Sequence, residues 1–151
     1  MLRQQLRDAL KIAMKAREAR AVATIRLILA ALKDRDIAAR GKGGEEELSD
    51  ADILQLLTTM IRQRRESIEL YQTGGRVDLA EREGEEIDVI ERFMPAQIEG
   101  EEMIAIIRRL TAEIGAQSIK DMGRTMAALK EKFAGQMDFG KASGVVRELL
   151  A

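Results

Sequence analysis

Neither cysteine nor histidine occurs among the 151 residues of this chain. Without thiols there is no disulfide and no thiolate nucleophile, and without imidazole the commonest general base near neutral pH and the commonest metal ligand are both missing. Tryptophan is absent too, and one tyrosine and three phenylalanines bring the aromatic share to 3%. That is too little for a protein that reads single strands by stacking successive bases on aromatic side chains. No apolar run approaches the roughly 20 residues that cross a bilayer. The opening MLRQQLRDALKIAMKAR interrupts its apolar positions with charge, unlike the continuous core of a secretory leader. The expected location is the cytoplasm, with no membrane partner.

What is present is helical. Hydrophobic residues make up 46% of the chain and charged residues 34%, enough to bury a core without help from metal or disulfide. Leu2, Leu6, Ala9, Leu10 and Ala13 repeat with the helical period, with no breaker before about Glu18 or Arg20; Val22, Ile25, Ile28, Leu29 and Leu32 continue it toward Arg40. Ser49 followed by Asp52 is a helix-start signature. Beyond it, Ile53, Leu56, Leu57, Met60, Ile61, Arg64, Ile68 and Tyr71 trace one face up to Gly74 and Gly75. Val77, Ala80, Ile87, Ile90 and Met94 outline a fourth helix, which Gly84 disturbs only mildly. Pro95, the one proline, disfavours helix in the residue before it and marks the best boundary. Past it, Ile104, Ile107, Leu110 and Ile114 form a fifth apolar stripe. The expected architecture is all-α: a bundle of about four helices over 1–94, then a small three-helix bundle over 95–151.

The net charge of −1 conceals an uneven distribution. Residues 1–44 carry 11 basic and 4 acidic side chains, residues 45–102 carry 6 and 17, and residues 103–151 carry 8 and 5. A basic stretch attracts polyanions locally even in a near-neutral chain, because exposed charges are felt over only about 8–10 Å at physiological salt. The other possibility is that 1–44 simply pairs with the acidic middle. Arg62, Arg64 and Arg65 pose the same choice: three guanidiniums within one turn suit phosphate, while Glu81, Glu83, Glu85 and Glu86 on a helix folded back alongside would neutralise them. Pairing is the favoured reading there.

Residues 115–151 hold the most distinctive pattern. Ser118 with Asp121 is a variant capping box, and Ile119, Met122, Met126, Leu129 and Phe133 recur on one helical face. A turn with Gly135, Asp138 and Gly140 follows, then a closing helix with Val145, Val146, Leu149 and Leu150. Lys120-Asp121-Met122-Gly123-Arg124, Met126, Leu129, Lys130, Gly135, Asp138 and that closing helix resemble the tail domain of GatB/YqeY proteins. Upstream, Thr24-Ile25-Arg26-Leu27, Ala31-Leu32-Lys33, Arg62 to Ile68 and Phe93-Met94-Pro95 resemble the same family's leading stretches, so the likeness runs along a stand-alone YqeY-type layout. One departure is local: Asp138 is followed by Phe139-Gly140-Lys141, where many relatives place Gly and Lys directly after Asp.

The resemblance implies a role near tRNA. In that family the tail ends the B subunit of the tRNA-dependent amidotransferase, a carbon-nitrogen ligase using glutamine as amide donor, and contacts tRNA there. The catalytic body of that subunit has no counterpart in this chain, so no activity is expected from it alone. Other chemical readings fail on their own terms. Asp138-Phe139-Gly140 matches the metal-binding triplet of protein kinases, but the glycine-rich loop and catalytic loop are missing. Gly41-Lys42-Gly43-Gly44 lacks the Gly-Lys-Ser/Thr ending of a phosphate loop and reads as a linker. The acidic residues at 81–88 do not recur as Glu-x-x-His motifs, and neither a serine-lysine amidase pattern nor a nucleotide-binding loop is present. The candidate site set therefore contains no catalytic residue, no metal ligand and no cofactor. It comprises Lys120, Arg124, Lys130, Lys141 and Arg147 as RNA-binding cations, with Arg62, Arg64 and Arg65 as a second basic cluster. The expected partner is tRNA or an aminoacyl-tRNA complex, with a protein of the translation apparatus as a further partner. The alternative is a helical adaptor that docks a protein and has no role with RNA.

Overall fold

The computed structural model describes residues 1–41 and 47–151. Among these residues it contains seven α-helices, one 3-10 turn and no strand. Of Gly41-Lys42-Gly43-Gly44, read above as a linker, Gly41 is the last residue of a helix and the other three lie outside the described residues. The chain divides into two compact units, Met1–Met94 and Pro95–Ala151, each closed around its own apolar side chains.

The first unit consists of α1 (Leu2–Ala16), α2 (Ala19–Gly41), α3 (Asp50–Thr73) and α4 (Val77–Glu91). The first two form a hairpin reversed by Arg17, whose φ of 57° is left-handed. The amides of Arg17 and Glu18 then close on the carbonyls of Met14 and Ala13 at 3.2 and 3.0 Å, satisfying carbonyls that a helix end leaves unpaired. No glycine or proline announces this stop, which falls short of the sequence expectation. The start of α3 follows its signature. The Asp52 amide donates to Ser49 Oγ at 3.2 Å, and the Ser49 amide donates to Asp52 Oδ2 at 3.4 Å. Gly75, at φ 72°, ends that helix, and α4 folds back along it. Leu6, Ile28, Leu32, Ile53, Leu57 and Ile90 are sealed in one core drawn from all four helices. Full burial of side chains of this kind stabilises by about 1.5–3 kcal/mol each before chain entropy is charged.

The second unit opens with an extended segment whose amide at Ile98 donates to the Gln136 carbonyl at 2.6 Å, while Gln97 Nε2 donates to the Gly135 carbonyl at 2.7 Å. Then come α5 (Gly100–Glu113), a 3-10 turn at Ile119–Asp121, α6 (Met122–Lys132) and α7 (Phe139–Leu150). Ile98, Met103, Ile107, Leu110, Leu129, Met137, Val146 and Leu150 close its core. Gly115, at φ 68°, terminates α5. Asp138 caps α7 by accepting from the amides of Gly140 and Lys141 at 2.9 and 3.3 Å. The residue pair after Asp138 therefore opens a helix rather than prolonging the turn.

Two positions differ from their expected placement. On α5 the buried residue is Met103, with Ile104 on the exposed side; both fit an i, i+3, i+4 pattern with Ile107, and packing against α7 decides. Ile119 is half exposed because the 3-10 turn rotates it away from the face shared by Leu129. Met137, in the turn before α7, is buried, so this loop is held by an apolar anchor.

Candidate nucleic-acid interface

Lys120 sits in the 3-10 turn, Arg124 and Lys130 on α6, and Lys141 and Arg147 on α7. All five are exposed, but they do not play one part. Arg124 is a structural brace: its Nη1 donates to the Ile114 carbonyl at the end of α5 at 2.6 Å, and its Nη2 pairs with Asp121 Oδ1 at 3.3 Å. The other Asp121 oxygen accepts from the amides of Gln117 and Ser118 at 2.9 and 3.3 Å. Those two backbone donors first, and Arg124 after them, hold the Asp121 carboxyl below the usual carboxylate range. Lys120, Lys130, Lys141 and Arg147 make no ion pair among the described residues; the neighbouring Lys132 pairs with Glu113 at 3.6 Å.

The outward faces of α6 and α7 share a pattern. Arg124 and Lys130 are six residues apart, so their directions differ by about 120° around the helix. Gly123 and Ala127, both exposed, lie between those directions. On α7, Lys141 and Arg147 bracket Gly144 in the same way. A Cβ added at Gly123 or Gly144 would meet nothing within 4 Å, so neither glycine is required by packing inside the protein. The cations thus flank strips of small residues rather than forming one row. Residues 95–151 hold eight basic and eight acidic side chains, because Glu99, Glu101 and Glu102 belong to this unit. Its net charge is zero, and attraction for a polyanion must come from placement.

The second basic cluster is largely consumed. Arg64 Nε pairs with Glu86 Oε2 at 2.9 Å with both side chains mostly buried, and its Nη1 donates to the Met60 carbonyl at 3.2 Å. Arg65 reaches Glu91 at 3.5 Å. Arg62 alone of the three forms no ion pair among the described residues. Pairing between the basic start of the chain and its acidic middle is likewise visible: Arg20 meets Glu85 at 3.1 Å and Arg3 reaches Glu47 at 3.4 Å, while Glu18 and Arg92 pair in the reverse sense at 3.4 Å. Arg20, Glu85, Glu18 and Arg92 line an open hollow of about 370 Å³, in which these charges pair off. Among the described residues, no group of three or more acidic side chains is placed to hold a metal ion, and no helix is long and apolar enough to cross a membrane.

The family profile described as Yqey-like protein matches residues 3–150, covering both helical units and all five cations. The chain belongs to the YqeY-like family. Among its relatives is the protein named altered inheritance of mitochondria protein 41, mitochondrial. The form from Lachancea thermotolerans is 36% identical over 89 residues, which cover 59% of this chain and 46% of that protein. The Saccharomyces cerevisiae form is 33% identical over the same shares. A Schizosaccharomyces pombe protein is 29% identical over 90 residues, 60% of this chain and 69% of its own length. The YqeY-like chain thus spans about half the length of the first two relatives.

Proposed function

We propose that this YqeY-like protein is a non-catalytic binder of structured RNA, of the tRNA class, acting through the outward faces of α6 and α7. The observation that carries the reading is the set Lys130, Lys141 and Arg147, exposed, without acid partners among the described residues, and flanking Gly123, Ala127 and Gly144. Small residues let a phosphate backbone come close to a helix, while flanking cations reach its oxygens without reading base sequence. Folded RNA is recognised largely by such shape and backbone contacts. The likeness to the amidotransferase B-subunit tail supports the same class of partner, and an auxiliary role beside a complete amidotransferase is the setting it suggests.

Titration of the full chain with folded tRNA at about 50 mM and about 200 mM salt tests this. Each of Lys130→Ala, Lys141→Ala and Arg147→Ala should weaken binding and lower the salt slope by roughly 0.7–0.9. Absence of binding at the lower salt, or slopes unchanged in all three variants, overturns the proposal.

A further inference from the structure

The outer face of α2 carries an apolar seam that no described residue of Met1–Met94 covers. Ala23, Leu27, Ala30 and Ile37 follow one another at alternating four- and three-residue steps, with the longer last step passing over Asp34; Leu27 and Ile37 are 48% and 55% exposed. At about 1.5 Å per residue the seam runs about 21 Å. Arg26, Lys33 and Arg40 stand seven residues apart along one flank, all exposed and forming no ion pair among the described residues. On the opposite side Thr24 is buried and Ala31 packs on the core, while Arg20, paired with Glu85, and the exposed Arg35 lie beside Ala38, so no acidic border is present there. This is the layout of a helix made to receive another helix, with a hydrophobic seam and a charged border that selects the partner.

We infer that α2 docks an acidic amphipathic helix from another protein, with carboxylates along the edge that meets Arg26, Lys33 and Arg40. The charges decide among possible occupants. A second copy of this chain would bring cations against cations, or cations against the side that holds Arg20 and Arg35, and like-charge repulsion disfavours both. A nucleic-acid backbone offers no apolar surface to cover Leu27 and Ile37, and Asp34 within the seam repels it. In a helical partner, Asp34 instead selects a basic or amide side chain opposite, the device by which a polar seam position sets register. Ala23 and Ala30 allow close approach of the two axes, which at helix contacts are about 8–10 Å apart depending on side-chain size. The inference stands independently of RNA binding by the second unit.

The test places a photo-reactive benzophenone amino acid at Ile37 of the full chain inside its own cells, and identifies the cross-linked segment by mass spectrometry. A segment from another protein with an amphipathic helical pattern and acidic flanks is the expected result. Its yield should fall at least about tenfold in the charge-reversed chain Arg26→Glu, Lys33→Glu, Arg40→Glu, and likewise in Leu27→Asn. Cross-linking to a second copy, to nucleic acid or to a segment lacking acidic flanks overturns the inference, as does no cross-link at all. In vitro, a synthetic helix with leucines along its seam and glutamates on its flanks should bind the full chain at least about tenfold more tightly than its lysine-flanked counterpart. Equal affinity for the two peptides overturns it as well.

Discussion

Single residues here pull stability and recognition in opposite directions. Gly144 occupies an exposed helix interior, where glycine costs roughly 0.5–1 kcal/mol relative to alanine; Gly123 is the second residue of α6, and at both a methyl group would meet nothing within 4 Å. Gly144→Ala should therefore raise the free energy of unfolding by that amount in urea titrations, and Gly123→Ala, in a first turn, by less. If the outward faces of α6 and α7 meet RNA closely, the same variants should bind tRNA less tightly. Gly84→Ala, in α4 and equally open, is the control that should gain stability with no change in tRNA affinity. Arg17 is the opposite kind of residue, a side chain held at φ 57°. The left-handed conformation costs a non-glycine residue about 1–2 kcal/mol, partly balanced by the extra unfolded-state freedom of glycine. Arg17→Gly should stabilise by about 0.5–1 kcal/mol, and an unchanged denaturation midpoint would contradict this account of the α1–α2 reversal.

At the level of helices, a few polar side chains add ties between elements to the apolar cores. Arg3 on α1 grips Asp36 on α2 through two bonds of 2.8 and 3.1 Å, with both groups mostly buried. The hydrogen bonds from Arg3 hold the Asp36 carboxyl below its ordinary range. A carboxylate with a depressed folded-state pKa contributes stability that is complete above the unfolded value of about 3.9 and is lost as pH falls through the lower folded value. Thermal midpoints should accordingly be flat from about pH 7 down to about pH 5, then fall below about pH 4. Asp36→Asn should cost about 2 kcal/mol at neutral pH and flatten that acid limb. Helix positions were the most legible part of the sequence, since Ser49 with Asp52 and Gly74-Gly75 mark both ends of α3 in residue type alone. The choice between Met103 and Ile104 was not, because adjacent residues both fit the helical period and only the neighbour they face separates them. For Arg64 the sequence favours pairing with the acidic helix alongside but does not single out Glu86, because periodicity does not say which glutamate faces it. The α2 seam is not legible in the sequence because a helix apolar on more than one side gives no clear direction, and Leu27 and Ile37 become informative only once exposure is known.

In the molecule as a whole, among the described residues, the apolar cluster within Pro95–Ala151 shares no side chain with the two clusters within Met1–Met94. Leu129 is fully buried in the cluster of Pro95–Ala151. Leu129→Ala should cost about 2–5 kcal/mol, a large part of what so small a unit can hold. Hydrogen exchange should then show amides of α5 to α7 losing protection while those of α3 keep theirs, and uniform loss along the chain would contradict separate cores. The five candidate cations were nameable from residue type and likeness, yet the bracing role of Arg124 rests on a carbonyl ten positions earlier in the chain, a relation no local pattern encodes. The hydrogen bonds that Gln97 and Ile98 send to Gly135 and Gln136 have a practical consequence for anyone excising the second unit. A fragment begun at Glu99, where the helix pattern starts, would discard the clasp on the α6–α7 loop together with the apolar plug of Ile98, whereas one begun at Pro95 would carry its own fastening.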